Sequence, residues 1–222
     1  MSDLWPWLAL FGLGAYHGIN PGMGWLFAVA LGTQEKKRQA VLAALPPIAL
    51  GHALSIGIIV LLVALAQITF NPSALRVTAA LVLFGFGLYR LVRFRHPKWV
   101  GMRVGFGDLT LWSFIMASAH GAGLMLVPIL LHSGHAEPGT LDHSRHTEHF
   151  NHLARSAAAF STPAECVGAV AVHTLGHLLV AGLVAIVIFE KLGLALLTKA
   201  WFNLDLMWLI ALIVSGFLVL VF

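Results

Sequence analysis

Tyr16-His17-Gly18-Ile19-Asn20-Pro21-Gly22-Met23 interrupts an apolar segment that runs from Leu4 to Leu31. Proline removes a backbone donor and clashes with the preceding turn, and the glycines loosen the helix around it. Inside a bilayer such a break must re-satisfy its backbone on neighbouring helices, water or a ligand. Breaks of this kind mark binding sites in transporters, so the octapeptide predicts a first membrane span broken near its middle.

The rest of the chain fits a membrane setting. It has 222 residues, 59% hydrophobic and only 10% charged, with a mean hydropathy of +0.89. A soluble domain of this size does not have that composition. A hydrocarbon core of roughly 30 Å takes about 20 apolar residues to cross. Runs of that kind stand at Leu4 to Leu31, Ala40 to Ala66, Ala74 to Val92, Leu109 to Leu131, Pro163 to Phe189 and Trp201 to Phe222. The expectation is an all-α integral membrane protein of six transmembrane helices forming a single membrane domain over 1–222. Met1-Ser2-Asp3 offers no basic region ahead of the first run, which reads as a retained span rather than a signal peptide. The one cysteine, Cys166, excludes an intrachain disulfide and a thiolate-rich metal site.

Short cytoplasmic loops retain Lys and Arg, which sets orientation. Lys36, Lys37, Arg38, Arg90, Arg93, Arg95, Lys98, Arg103, Lys191 and Lys199 fall in the first, third and fifth loops, against Arg76, Arg145 and Arg155 on the other side. Both termini are therefore expected outside the cytoplasm, together with the loop from His132 to Thr162. Topology accounts for the basic third loop without nucleic acid or anionic lipid.

Leu50-Gly51-His52-Ala53-Leu54-Ser55-Ile56-Gly57 and Leu175-Gly176-His177-Leu178-Leu179-Val180-Ala181-Gly182 both read LGHxLxxG. His17-Gly18 and His120-Gly121 form a shorter echo in the first and fourth spans, followed by Met23 and Met125. The order is the same in both halves. Three spans per copy is an odd number, so the copies must have opposite topology. This predicts a 3+3 inverted-topology repeat, 1–93 and 107–222, with a histidine-rich extracytoplasmic insertion at 132–162. The insertion contains His132, His135, His143, His146, His149 and His152 among Glu137, Asp142 and Glu148. Neutral imidazole is a good borderline metal ligand, and the segment reads as a loose collecting tract for metal. A solvated linker would have the same polarity.

Five histidines fall within spans: His17, His52, His120, His173 and His177. Ionisable groups at membrane depth are costly and functional by default, although a lone one can serve a helix contact. His173 and His177 form HxxxH, which puts both rings on one helical face. Ile48 stands at the matching position of the first copy. Asn20, Met23, Met125 and Thr174 are candidate secondary ligands. Asp108 and Asp205 fall near cytoplasmic ends and Glu165 near an external end, so imidazole dominates. Such a site favours Zn, Cu, Ni or Co over Mg or Ca, and the same rings can carry protons for a coupled exchange. Trp5, Trp7, Trp99, Trp112 and Trp201 read as interfacial anchors, and Gly12, Gly14, Gly85 and Gly87 as helix-contact positions.

The His17-Gly18-x-Asn20-Pro21-Gly22 stretch resembles the HGxxPGH motif in the first span of bacterial nickel/cobalt efflux permeases, within the lysine-exporter superfamily. The resemblance extends to the six-span size, the glycine-rich halves and the histidine-rich loop. Met23 stands where the efflux permeases carry a second histidine, and the HxxxxDH signature of the nickel uptake branch is absent. The resemblance implies transport of a divalent transition-metal ion across the bacterial inner (plasma) membrane, and leaves room for a homo-oligomer. An intramembrane metal or haem redox enzyme and an organic-solute exporter of the same superfamily are the competing readings.

Overall fold

A computed structural model of the protein describes residues 4–92, 105–132, 162–192 and 204–221. His135, His143, His146, His149 and His152 lie outside these residues, as do Trp99 and Trp201. The elements are α1 (Trp5–Ile19), α2 (Trp25–Glu35), α3 (Arg38–Thr69), α4 (Pro72–Val92), α5 (Phe106–Ala119), α6 (Val127–His132), α7 (Pro163–Val187) and α8 (Leu204–Val221). Each of the six apolar runs holds helix, and no strand occurs among the described residues. Two stretches, 38–67 and 163–191, are long and apolar enough to cross a membrane by themselves, and a third is reached if α5 and α6 count as one bent span. Lipid is the natural neighbour of their outer faces, where Leu54, Ile58, Leu61, Leu175, Leu179 and Leu183 are exposed.

The break in the first span lies where the octapeptide predicts it. α1 stops at Ile19, Asn20 is extended, Pro21–Met23 form a 3₁₀ turn, and α2 restarts after Gly24 at φ 120°, a conformation open to glycine. The freed backbone groups find partners. Asn20 Oδ1 accepts the Gly22 N–H at 2.9 Å, and Trp25 Nε1–H donates to the Ile19 carbonyl at 3.0 Å. A second break, absent from the sequence reading, interrupts the Leu109–Leu131 run. α5 ends at Ala119, Gly121 has φ 70°, Leu124–Leu126 form a 3₁₀ turn, and the two helical pieces meet at 51°. Here Gly121-Ala122-Gly123 breaks the helix without a proline. Pro46 and Pro47, by contrast, lie inside the 32-residue α3 without ending it.

α1 packs along α7, α3 along α5 and also along α7, and α4 along α8. Small residues make the first two of these contacts close. A Cβ at Gly14 would strike the His173 carbonyl, one at Gly176 the Phe11 carbonyl, and one at Gly51 the Thr110 carbonyl. Gly14 is thus a helix-contact position as expected, whereas Gly12 and Gly85 face open space. Trp112 departs from the anchor reading, since its ring packs edge-on against Phe27 at 5.1 Å and its indole nitrogen is buried.

Candidate metal centre

Because the α1 and α7 backbones touch at Gly14, Gly18 and Gly176, the side chain of His17 reaches the α7 face that carries His173 and His177. α3 brings His52 to the same place. Three ties hold α3 against α5: the Gly51 approach, Ser113 Oγ–H donating to the Ile48 carbonyl at 2.7 Å, and the Ser55–Ser118 hydroxyl pair at 2.9 Å. The four rings are completely buried. His17 lies 5.0 Å from His173 and 5.6 Å from His52 between ring centroids, and His52 lies 5.5 Å from His173. His52 and His177 stack at 4.0 Å with planes 12° from parallel.

Both ring nitrogens of His52, His173 and His177 lack a hydrogen-bond partner among the described residues. Backbone of Leu10 approaches His173 and backbone of Met23 approaches His177. A buried polar group left unsatisfied costs about 1–3 kcal/mol, so a cluster of them calls for a further partner. His17 is oriented differently: its Nδ1–H donates to the Leu13 carbonyl at 2.7 Å, which leaves the lone pair on Nε2 in the neutral ring.

The spacing suits a metal. An imidazole bound at about 2.0–2.1 Å puts its centroid about 3 Å from the ion, so two ligands at a tetrahedral angle have centroids about 5 Å apart. The His17–His52–His173 triangle matches this in its distances and in the 62° and 67° inclination of His17 to the other two rings, but His52 and His173 lie only 14° from parallel. The stacked pair does not match it. An ion must lie in the plane of each ring that binds it, and near-parallel planes share no such point, so His52 shares an ion with neither His177 nor His173 until a ring turns. In the present rotamers no group of three or more His, Cys, Asp or Glu donors converges as a metal site among the described residues. Ring rotation within the triangle is what would bring the donors together.

His120 is buried as well. Its Nδ1–H donates to the Met116 carbonyl at 2.8 Å, repeating the bond that His17 makes to Leu13, and its ring borders Gly22 in the first break. Asn20 is buried there too, with its Nδ2 unpartnered among the described residues. Met23 and Met125 are buried in the larger apolar core with Leu10, Ile56 and Leu126. Thr174, its hydroxyl buried, lines an apolar groove of about 1090 Å³ between α3 and α7, on the flank of the cluster. His132 ends α6. Ser55, Ser113 and Ser118 were not singled out by sequence, because a lone serine in an apolar run has no distinguishing spacing. Gly14-x-x-x-Gly18 did have one, the small-xxx-small pattern of close helix pairs. Compared with protein-family models, curated proteins and solved structures, the chain matches none.

Proposed function

We propose that this protein is a membrane transporter of a divalent transition-metal ion of the Ni, Co, Zn or Cu class, related to the nickel/cobalt efflux permeases. The observation that carries this is the His17–His52–His173 triangle, three buried imidazoles from three helices with centroids 5.0–5.6 Å apart. Its ligand set is nitrogen alone, which selects against Mg and Ca. The metal is cargo here, and the same rings are able to move a proton in the opposite sense.

The proposal includes six spans in a 3+3 inverted repeat, with both termini extracytoplasmic and the histidine-rich insertion as an external collector. Packing supports the repeat. Exchanging first with fourth, second with fifth and third with sixth span turns the α1–α7 pair into α5–α3 and returns α4–α8 and α3–α7 to themselves, although the α2–α3 pair has no matching α6–α7 pair among the described residues. The stacked His52 and His177 come from the two LGHxLxxG copies, as side chains astride a pseudo-two-fold axis would.

Geometry disfavours the redox reading in its haem form. Two imidazoles on opposite sides of one haem iron have centroids about 6 Å apart with the porphyrin between them. Here the rings are 4.0–5.6 Å apart and packed on one another. The groove of about 1090 Å³ is what favours the organic-solute reading. Metal flux into proteoliposomes separates the two. His52→Ala and His177→Ala should each abolish it in a folded protein, and normal flux in both variants would sink the proposal.

A further inference from the structure

The two halves are not in the same register. Matching His17 with His120, and His52 with His177, aligns Phe11 with Phe114, Gly14 with Ala117, Ala15 with Ser118 and Gly18 with Gly121. In the first-span pair, Gly176 meets Phe11 and Ala15, the His173 carbonyl meets Gly14, and Val180 meets Gly18. Strict symmetry would then bring Gly51 to Phe114 and Ser118, the Ile48 carbonyl to Ala117, and Ser55 to Gly121. Instead Gly51 meets Thr110 and Phe114, the Ile48 carbonyl meets Ser113, and Ser55 meets Ser118. All three contacts are displaced the same way, by three or four residues. That is one helical turn, about 5.4 Å along the axis.

The same displacement accounts for the position of His120. α1 continues past His17 to Ile19, but α5 ends at Ala119, so the helix unwinds at His120 itself. One turn of slip sets His120 at the end of α5, with its ring beside Gly22 of the first break.

We propose that His120 is the ligand of a second metal station, reached when α5 slides one turn along α3 and α1 slides one turn back along α7. This rests on the metal-transport reading. Ratchets of one turn between packed helices are a known form of two-state change. Ala117, Ser118 and Gly121 keep small residues on α5 facing α3 through such a slide, whereas on α1 Leu10 comes to the His173 carbonyl in place of Gly14, so α1 and α7 must also move apart there. In the exchanged state His120 takes the place of His17 and His177 that of His52. Ile48 takes the place of His173. The second station therefore has one imidazole fewer and holds the ion less tightly, so that an ion held by His17, His52 and His173 is passed across the stacked pair to a site that releases it. The break glycines, Gly24 at φ 120° and Gly121 at φ 70°, lie where α1 and α5 must lengthen and shorten.

The test pins the register. With Cys166→Ala, Ser55→Cys and Ser118→Cys, the thiols replace hydroxyls 2.9 Å apart and oxidation closes a disulfide between α3 and α5. The expected result is Zn or Ni binding within about threefold of wild type, flux reduced roughly tenfold or more, and recovery on reduction. Undiminished flux with the disulfide closed overturns the slide. A second arm needs no disulfide. His120→Ala should leave equilibrium Zn affinity unchanged yet lose flux, and His120→Cys should restore Zn flux because thiolate also ligates Zn. Normal flux in His120→Ala, or no rescue by cysteine, overturns the second station. Wild-type protein that neither binds nor carries metal would fail the parent reading instead.

Discussion

His52 and His177 stack ring on ring, 4.0 Å between centroids and 12° between planes, although they lie on different helices in different halves of the chain. The contact binds α3 to α7 at the point where neither ring nitrogen of either residue has a partner among the described residues. Only His52 also belongs to the triangle with His17 and His173. The two histidines, alike in sequence motif, should therefore differ in effect on binding. Loss of an outer partner of a metal ligand costs about 10–100-fold in affinity, and loss of a ligand more. Equilibrium dialysis with Zn should give a weakening of roughly 100-fold or more for His52→Ala and a smaller one for His177→Ala. The reverse order would place the ion between His173 and His177 instead.

Glycine contacts offer a test of how the site is held. A methyl at Gly14 or Gly176 meets a carbonyl of the facing helix, so α1 and α7 must separate to admit it. Overpacking of this kind costs about 1–3 kcal/mol, occasionally more. Gly14→Ala and Gly176→Ala should lower the melting temperature in detergent and weaken metal binding, because His17 moves away from His173. Gly12→Ala and Gly57→Ala, where nothing lies within 4 Å, are the controls and should be neutral or slightly stabilising. Equal melting temperatures for the two sets would remove the close α1–α7 contact from the account.

Sequence made some of this legible and not the rest, for physical reasons that differ by residue. Asn20-Pro21-Gly22 announces its break because a polar side chain, a proline and a glycine stand together, whereas Pro46-Pro47 among apolar residues stays inside α3. Gly121-Ala122-Gly123 does not announce a break, since glycines are as common at tight helix contacts as at kinks. HxxxH fixes the common face of His173 and His177 from helical periodicity alone. Whether His17 and His52 meet that face depends on the crossing of three helices, which periodicity does not contain. His120 is the clearest case: its His-Gly pair echoes His17-Gly18 in sequence, and its place beside Gly22 depends on how α5 packs on α3.

Arg38 and Glu190 form an ion pair at 3.3 Å between the start of α3 and the π-helical turn Ile188–Leu192 that follows α7. Both side chains are exposed, and exposed pairs contribute about 0–1 kcal/mol. Glu190→Gln should shift stability by less than about 1 kcal/mol and leave metal binding unchanged. A larger loss, measured by thermal unfolding with and without added salt, would mean that this contact has a role in closing the bundle.

Asn20 distinguishes a structural break from a ligand-binding one. Its Oδ1 accepts from the Gly22 N–H, and its buried Nδ2 has no partner among the described residues. Asn20→Ala removes the acceptor and should destabilise the fold by about 1 kcal/mol, with or without metal. Asn20→Asp keeps the acceptor but introduces a carboxylate at a buried position, which is costly unless a cation compensates. If the ion passes close to the break, the aspartate variant should be less stable than wild type without metal and should gain more in melting temperature when Zn or Ni is added, since stabilisation by a ligand grows with its affinity. A metal-induced shift equal to that of wild type would confine the ion to the histidine triangle and leave the break a purely structural feature.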